Sequence, residues 1–443
     1  MKLLMDFSMV QHQIMSAQIP QSNLQRIVIV GAGFAGLKLA RKLINSPFQI
    51  VLLDRQNFHQ FQPLFYQVAT AGLAPSAISF PIRTLFHNAP NVHFRVAEVE
   101  SIDSKSNEIQ TSIGSISYNH LVIATGADTN FFGNKSIQTH AFPMKTTSES
   151  LLIRNRVLQC MEQALISDSD ADRQANMNIV IVGAGPTGVE LAGAFSEMKR
   201  YVLPKDYPEL NFDQMHIYLI EAGSKVLGTM SEKSSIASHR FLSDLGVNIL
   251  TNSIVLSYDG LVVQIKDREP INAKTMIWSA GIKGNIINGI PESGIIRSRY
   301  LVDLSNRLTE TENIYALGDI AYMQTDKFPN GHPQVAQVAM QQASLLAKNF
   351  QRMDKNLPVR PFEYKDLGSM ATIGRSKAVA DLPGVHLSGF MAWIFWLFVH
   401  LMNILGVKNK LFIFIYWMWY YISFSQSLRL VISQKSPDQE AKA

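Results

Sequence analysis

Ile27-Val28-Ile29-Val30-Gly31-Ala32-Gly33-Phe34-Ala35-Gly36-Leu37 is spelled almost a second time as Ile179-Val180-Ile181-Val182-Gly183-Ala184-Gly185-Pro186-Thr187-Gly188-Val189-Glu190. Each copy is a continuous β-branched run, then G-x-G-x-x-G, then a helical pattern. Such a run suits a parallel strand covered on both faces. The first glycine permits the tight turn, the second lets backbone approach a pyrophosphate, and the third allows close helix–strand packing. The helix that follows offers unpaired N–H groups and a partial positive charge to phosphate.

A single G-x-G-x-x-G is weak, since any glycine-rich turn can spell it. Here each copy is followed by a second strand run ending in an acid. The first is Phe48-Gln49-Ile50-Val51-Leu52-Leu53-Asp54, and the second is His216-Ile217-Tyr218-Leu219-Ile220-Glu221. An acid in that place accepts hydrogen bonds from a ribose. The repeat goes further: Leu121-Val122-Ile123-Ala124-Thr125-Gly126 is mirrored by Thr275-Met276-Ile277-Trp278-Ser279-Ala280-Gly281. The expected fold class is therefore α/β, with two Rossmann-like dinucleotide-binding domains in one chain.

The chain has 443 residues, enough for two or three domains. Its net charge of +5 is small for a nucleic-acid binder, and no basic stripe interleaved with aromatics occurs, so no nucleic-acid partner is expected. Cys160 is the single cysteine and sits in a helical pattern as a packing residue. That removes an internal disulfide and every mechanism needing a redox cysteine pair. No metal-ligand or iron–sulfur pattern is present, so no metal is expected.

The N-terminal 1–25 reads as a loose arm without a signal-like apolar core. Asn57–Val68 is aromatic-rich and reads as a packed loop, Ser148–Ile166 as a helix, and Asp168–Asp172 as an acidic loop. Asn313–Asp319 is a short strand ending in Gly-Asp, where Asp319 suits either a ribityl hydroxyl or a helix cap. The helix expected over Gln334–Phe350 carries Gln337, Gln341 and Gln342, with Gln337 and Gln341 on one face.

The C-terminal region changes character. Leu387–Leu405 and Leu411–Phe424 are apolar and aromatic, broken by Gly406-Val407-Lys408-Asn409-Lys410, and hold four of the five Trp residues: Trp393, Trp396, Trp417 and Trp419. Trp and Tyr favour the headgroup layer, where Lys408 and Lys410 could meet lipid phosphates. A helical pair buried in a homodimer interface, one short membrane span, and helices partly sunk in one leaflet all fit this pattern, and the last fits best. Ser433–Ala443 is a polar end.

Two dinucleotide sites suggest a flavin on one and a nicotinamide on the other, with the cofactors carrying the hydride chemistry. With no cysteine pair or iron–sulfur ligands to take the electrons onward, the oily tail points to a membrane quinone as acceptor. A soluble NAD(P)H oxidase or reductase is the alternative. Sulfide:quinone oxidoreductases share such an architecture but need redox cysteines.

The chain resembles the type II NADH dehydrogenases, single-subunit NADH:quinone oxidoreductases that do not pump protons. The resemblance rests on GAGFAGL (31–37), FQPLFYQVA (61–69), ATG (124–126), GAGPTGVELAGA (183–194), GD (318–319), AQVAMQ (336–341) and the aromatic tail. It implies tightly but non-covalently bound FAD on Gly31, Gly33, Phe34, Ala35, Gly36, Asp54, Arg55, Ala124, Thr125, Gly126 and Asp319. It implies NADH on Gly183, Gly185, Pro186, Thr187, Gly188, Glu221 and Gly281, with Glu221 repelling the 2′-phosphate of NADPH. Gln337 and Gln341 match the family's quinone-pocket glutamines. Glu190 is a candidate for proton delivery or hydride transfer, against the plainer role of a helix-dipole carboxylate. The domains implied are 26–147 with 282–350 for FAD, 148–281 for NADH, and 351–443 with membrane-anchoring helices at about 387–424. The resemblance further implies the cytoplasmic face of a bacterial inner membrane.

Overall fold

Ile27, Val28 and Ile29 have no solvent exposure because their strand is the middle of a sheet. Gln25–Val30 pairs in parallel with Phe48–Asp54 on one side and His120–Ile123 on the other. Val92–Val96 and Ile314–Ala316 complete five parallel strands. Burying each of these aliphatic side chains is worth about 1.5–3 kcal/mol. From the central strand the chain runs outward through Phe48–Asp54 to Val92–Val96, then returns to fill the other side with His120–Ile123 and Ile314–Ala316; this reversal of strand order opens a crevice at the central strand's carboxyl end.

The structure is a computed structural model that describes residues 17–423 and 428–431. It divides into two units. The first holds the sheet just given, from the chain up to His59, Pro81–Asp128 and Lys283–Lys365. Helices Phe34–Lys42 and Ala336–Asp354 lie against each other in this unit.

The second unit comprises Gln60–Phe80, Thr129–Ile282 and the chain from Asp366 on. Its sheet has the order Phe142–Pro143, Thr275–Trp278, Ile179–Val182, Ile217–Ile220, Val247–Leu250, all parallel. The glycine-turn strand is again central. Each unit also carries a three-stranded antiparallel sheet at the same point of the repeat, Val99–Ser117 in the first and Val255–Asn272 in the second. The expected α/β class with two Rossmann-like units is what forms.

Several local expectations change. Part of the acidic loop is a helix, Asp170–Met177, because the Ser169 hydroxyl caps the Asp172 N–H at 3.1 Å and acids occupy the first turn. The aromatic loop after Asn57 includes the short helix Phe65–Ala69, with Phe65, Tyr66, Val68 and Ala69 buried. Of the arm 1–25, residues 1–16 lie outside the described residues. The carbonyls of Ala17 and Gln18 accept from the Arg95 guanidinium, and that of Pro20 accepts from Gln49, so the end of the arm is tied down.

In the second unit a three-stranded sheet, Ser369–Thr372, Ala378–Leu382 and Val385–Gly389, leads into the tail helices Phe390–Asn403 and Val407–Ser423. The second helix begins at Val407, so the break is shorter than expected: Lys410 sits inside that helix and its ammonium donates to the Met402 carbonyl at 2.8 Å, an end group of the first helix. Among the described residues no helix is long and apolar enough to cross a membrane. Within the described residues the two tail helices, of 14 and 17 residues, measure roughly 21 and 26 Å, short of a ~30 Å hydrocarbon core. Phe424 and the polar end expected at 433–443 lie outside the described residues.

Candidate active site

Both glycine turns have the same construction. Gly31 and Gly183 take φ of +100° and +99°, and a Cβ on either would lie within 2.8 Å of backbone at Ala124 or Ala280. A Cβ on Gly36 or Gly188 would lie 1.9 Å from the carbonyl of Gly31 or Gly183, so these two are fixed by packing within the turn. Gly33 and Gly185 differ. Their φ values, −69° and −70°, suit any residue, and a Cβ there would meet nothing within 4 Å. The protein itself does not require glycine at either place. Open space over a helix start with no side-chain cap is the room a pyrophosphate needs, so the residues present fit a dinucleotide at both turns. Pro186 stands at the first position of its helix, where a missing N–H costs nothing, and Thr187 beside it is exposed.

The two acids are also placed alike. The Ala32 amide donates to Asp54 Oδ2 at 2.6 Å, and the Ala184 amide donates to Glu221 Oε2 at 2.7 Å. Each other oxygen accepts a second backbone N–H, from Gln56 or from Gly223, both at 2.7 Å. Burial pushes the Asp54 carboxyl above its ordinary range despite those bonds. Arg55 is exposed and faces Glu98 at 3.8 Å. Phe34 and Ala35 begin the first unit's helix, with the Phe34 ring edge-on to His59 at 5.4 Å.

Three residues near the first turn take supporting roles that their sequence pattern does not reveal. His59 is 4 % exposed and its Nδ1 lies 2.9 Å from the Ala32 carbonyl; burial lowers its pKa, so it is neutral and donates. Asn285 clamps the Ala124-Thr125-Gly126 turn: the Thr125 hydroxyl donates to its carbonyl at 2.8 Å and its amide returns to the Thr125 carbonyl at 3.0 Å. Gln342 is 1 % exposed and its Oε1 accepts the Gly318 N–H at 2.7 Å. That bond holds the Gly-Asp turn, where Asp319 lies inside a one-turn 3-10 helix, Gly318–Ile320, rather than capping one.

Gln337 and Gln341 are half-buried on the helix Ala336–Asp354. Gln341 donates to the Lys365 carbonyl at 2.8 Å and accepts the Lys365 N–H at 3.0 Å, bracing the segment that follows the helix. One N–H and one lone pair of its amide remain for a ligand.

In the second unit Glu190 sits a full turn into the helix Pro186–Tyr201 and is 8 % exposed. It is outside the first turn, so a helix-dipole role does not account for it. Burial pushes its carboxyl up to about 8, and the Thr372 backbone and the Trp396 indole, which favour the charged form, offset this only in part. Gly281, with φ +74°, closes the turn after Thr275–Trp278 and lies under the Phe132 ring.

The tail helices complete an apolar cleft in this unit. Tyr66, Thr70 and Ala194 line one side, and Trp393, Leu397 and Trp417 the other, around about 70 Å³ of space. Trp396 is 1 % exposed, stacks on His400 at 4.0 Å, and meets Tyr66 edge-on. Trp417 donates its indole N–H to Gln67 at 2.9 Å. Of the four tail tryptophans expected at a headgroup layer, Trp396 and Trp417 are thus anchors within the protein, while Trp419 is 63 % exposed. Phe398, Phe412, Ile415 and Ile422 are also exposed.

Comparison with known proteins agrees with this construction. Residues 25–343 match the family model of the pyridine nucleotide-disulphide oxidoreductases, and residues 367–426 match that of the NDH2 C-terminal domain. The chain is 32 % identical over 404 residues to the type II NADH:quinone oxidoreductase NdhA of Mycobacterium tuberculosis, covering 87 % of this chain and 85 % of that one. It is 27 % identical over 458 residues to the mitochondrial external NADH-ubiquinone oxidoreductase 2 of Saccharomyces cerevisiae, covering 90 % and 83 %. Its fold is similar to that of NDH2 from Plasmodium falciparum, solved in complex with NADH, with a TM-score of 0.84 at 21 % identity over 92 % of this chain and all of that one. The sulfide:quinone oxidoreductase of Aquifex aeolicus shares the fold more distantly, with a TM-score of 0.69 at 20 % identity, covering 87 % and 92 %. With two complete glycine-turn units, a lone buried cysteine where a disulphide reductase would need a pair, and an aromatic tail matching the NDH2 C-terminal domain, the chain belongs to the pyridine nucleotide-disulphide oxidoreductase family and, within it, to the type II NADH:quinone oxidoreductases.

Proposed function

We propose that the NADH:quinone oxidoreductase activity of this chain uses a non-covalent FAD on the first unit's glycine turn and NADH on the second unit's. The observation that carries the assignment is the open space at Gly33 and at Gly185, one pyrophosphate berth in each unit. FAD, when bound, accepts a hydride from NADH and passes two electrons to a quinone. The residues named above then have separate tasks. Asp54 and Glu221 meet the adenosine riboses, and Thr125, Gly126 and Asp319 position the flavin end, with His59, Asn285 and Gln342 holding their loops. Glu221 also places a negative charge where NADPH carries its extra phosphate. Glu190 keeps a proton at neutral pH in a water-poor setting, which suits a proton donor to a reduced quinone. Gln337 and Gln341 bind the quinone head. None of this moves a proton across a membrane.

The exposed Phe398, Phe412, Ile415, Trp419 and Ile422 support a membrane surface as the partner of the tail, and hence a lipid-soluble acceptor over the soluble-oxidase alternative. In a bacterium the face that meets NADH is the cytoplasmic one. A homodimer through the same helices is the competing use of this surface. Co-sedimentation with liposomes against solution mass in detergent separates the two uses.

Anaerobic stopped-flow absorbance tests the route. NADH should bleach the flavin, and a short-chain quinone should restore its colour. Acid precipitation should release FAD into the supernatant; flavin retained by the pellet ends the non-covalent assignment. Gln337→Ala should slow only the second half-reaction, and equal loss in both removes it from the quinone pocket.

A further inference from the structure

Phe131–Asn134 is a tight turn in the second unit, closed by the Asn134 N–H on the Phe131 carbonyl at 2.9 Å. Its two central residues, Phe132 and Gly133, have φ of +51° and +75°. Turns with both central φ positive favour Asn-Gly, because a side chain at the first position strains against its own backbone. A bulky aromatic there is a steric outlier. Folding alone would not select it, and neither would burial, since Phe132 is 69 % exposed.

The turn is nonetheless held firmly. The Phe132 N–H donates to Asn130 Oδ1 at 2.8 Å, and the Asn130 carbonyl accepts the Trp278 indole N–H at 2.9 Å. The Asn130 N–H reaches the Gly281 carbonyl at 3.2 Å, and Phe131 stacks on Trp278 at 6.2 Å. These contacts set the Phe132 ring over Gly281 so closely that a Cβ on Gly281 would lie 2.4 Å from its tip.

The position of Gly281 says what the ring faces. In this sheet Ile179–Val182 is central, the acid-bearing strand Ile217–Ile220 is on one side, and Thr275–Trp278 is on the other. A dinucleotide with its adenosine ribose at Glu221 and its pyrophosphate over Gly183–Gly188 must send its other half toward Ser279–Gly281. We infer that Phe132 is a binding residue for the nicotinamide half of NADH: its ring forms an apolar wall beside Gly281 that orients the nicotinamide riboside and keeps water from it. This inference rests on the assignment of NADH to the second unit. It explains a costly residue at an exposed position, because strain of this kind persists where a ligand uses it.

Equilibrium binding to the intact holoenzyme tests it, using redox-inert tetrahydro-NAD and ADP-ribose, which lacks the nicotinamide. In Phe132→Ala and Phe132→Asn the dinucleotide should bind about fivefold more weakly, the size of a lost aromatic contact, while ADP-ribose binding stays within about twofold of wild type. Phe132→Asn should at the same time raise Tm, since it relieves the turn. Stability and affinity moving in opposite directions is a signature that a packing role would not give. Unchanged dinucleotide binding, equal weakening of ADP-ribose, or a Tm that falls with the affinity each overturns the inference. If wild-type protein binds neither probe, the assignment of NADH to this unit fails instead.

Discussion

Glu221 Oε2 accepts the Ala184 backbone N–H at 2.7 Å, so the acid proposed to meet the ribose is also the strut of the glycine turn. Its twin, Asp54 on Ala32, does the same at 2.6 Å. Glu221→Gln keeps an oxygen for Ala184 but removes the charge. The preference for NADH over NADPH, measured as the ratio of kcat/KM, should fall about tenfold, the equivalent of ~1.4 kcal/mol. Four residues on, Lys225 is engaged by Glu232 at 2.6 Å. Glu221→Gln/Glu232→Gln releases that cation toward a 2′-phosphate and should lower the ratio further. A ratio unmoved in the single variant takes Glu221 out of the ribose site.

Gln342 makes a different kind of prediction, because its one visible bond is internal. Gln342→Leu keeps the volume and leaves the half-buried Gly318 N–H without its acceptor, at a cost of about 1 kcal/mol. Gly318 cannot shift easily, since a Cβ there would lie 3.0 Å from Ala339 Cβ. The variant should show a lower Tm and a weaker hold on FAD, read as cofactor lost on dilution, with quinone KM unchanged for the protein that retains flavin.

Much of this architecture was legible in the sequence for one reason. A strand, a glycine turn and an acid a strand later are local patterns set by sterics, and the chain writes them twice. The residues that were missed act over distance. His59 reads as part of an aromatic loop until it is seen against Ala32, 27 positions away, and Asn285 meets Thr125 across 160. Neither type has a periodicity that marks it. Gln342 was visible beside Gln337 and Gln341, but helical spacing favours the pair four apart, and only burial tells that the third points inward. The tail shows the same limit. Hydropathy marks both helices as apolar, yet it cannot say that Trp396 faces protein while Ile415 faces out.

That division of faces is testable. Phe412→Asp/Ile415→Asp acts on side chains that are 55 % and 52 % exposed and should leave Tm nearly unchanged. Removing two such groups from lipid costs about 1.5–3 kcal/mol each, so liposome partitioning should drop at least roughly a hundredfold. NADH should still bleach the flavin at the wild-type rate. Trp396→Ala acts on the inner face, empties a buried site, and should cost about 3–5 kcal/mol of stability before any effect on membrane binding is read. If the aspartates destabilise the fold as much as the tryptophan loss does, the outward face is a packing surface and the membrane assignment fails.

Glu190 ties stability to pH with a definite sign. Its carboxyl is raised from an ordinary 4.5 to about 8 by burial. Between those values the folded chain holds a proton that the unfolded chain has released. Stability contributed through this group therefore declines as pH rises across that window, by at most about 1.4 kcal/mol per pH unit. Glu190→Gln mimics the protonated form and should flatten the decline of the urea midpoint between pH 5 and 8. The catalytic reading adds a second signature. A carboxyl that donates its proton to the quinone should give wild-type quinone turnover a fall above pH 8, and Glu190→Gln should lose both that fall and most of the rate. If the stability slope flattens while quinone turnover keeps its rate and pH profile, Glu190 is a buried structural acid and the proton reaches the quinone by another path.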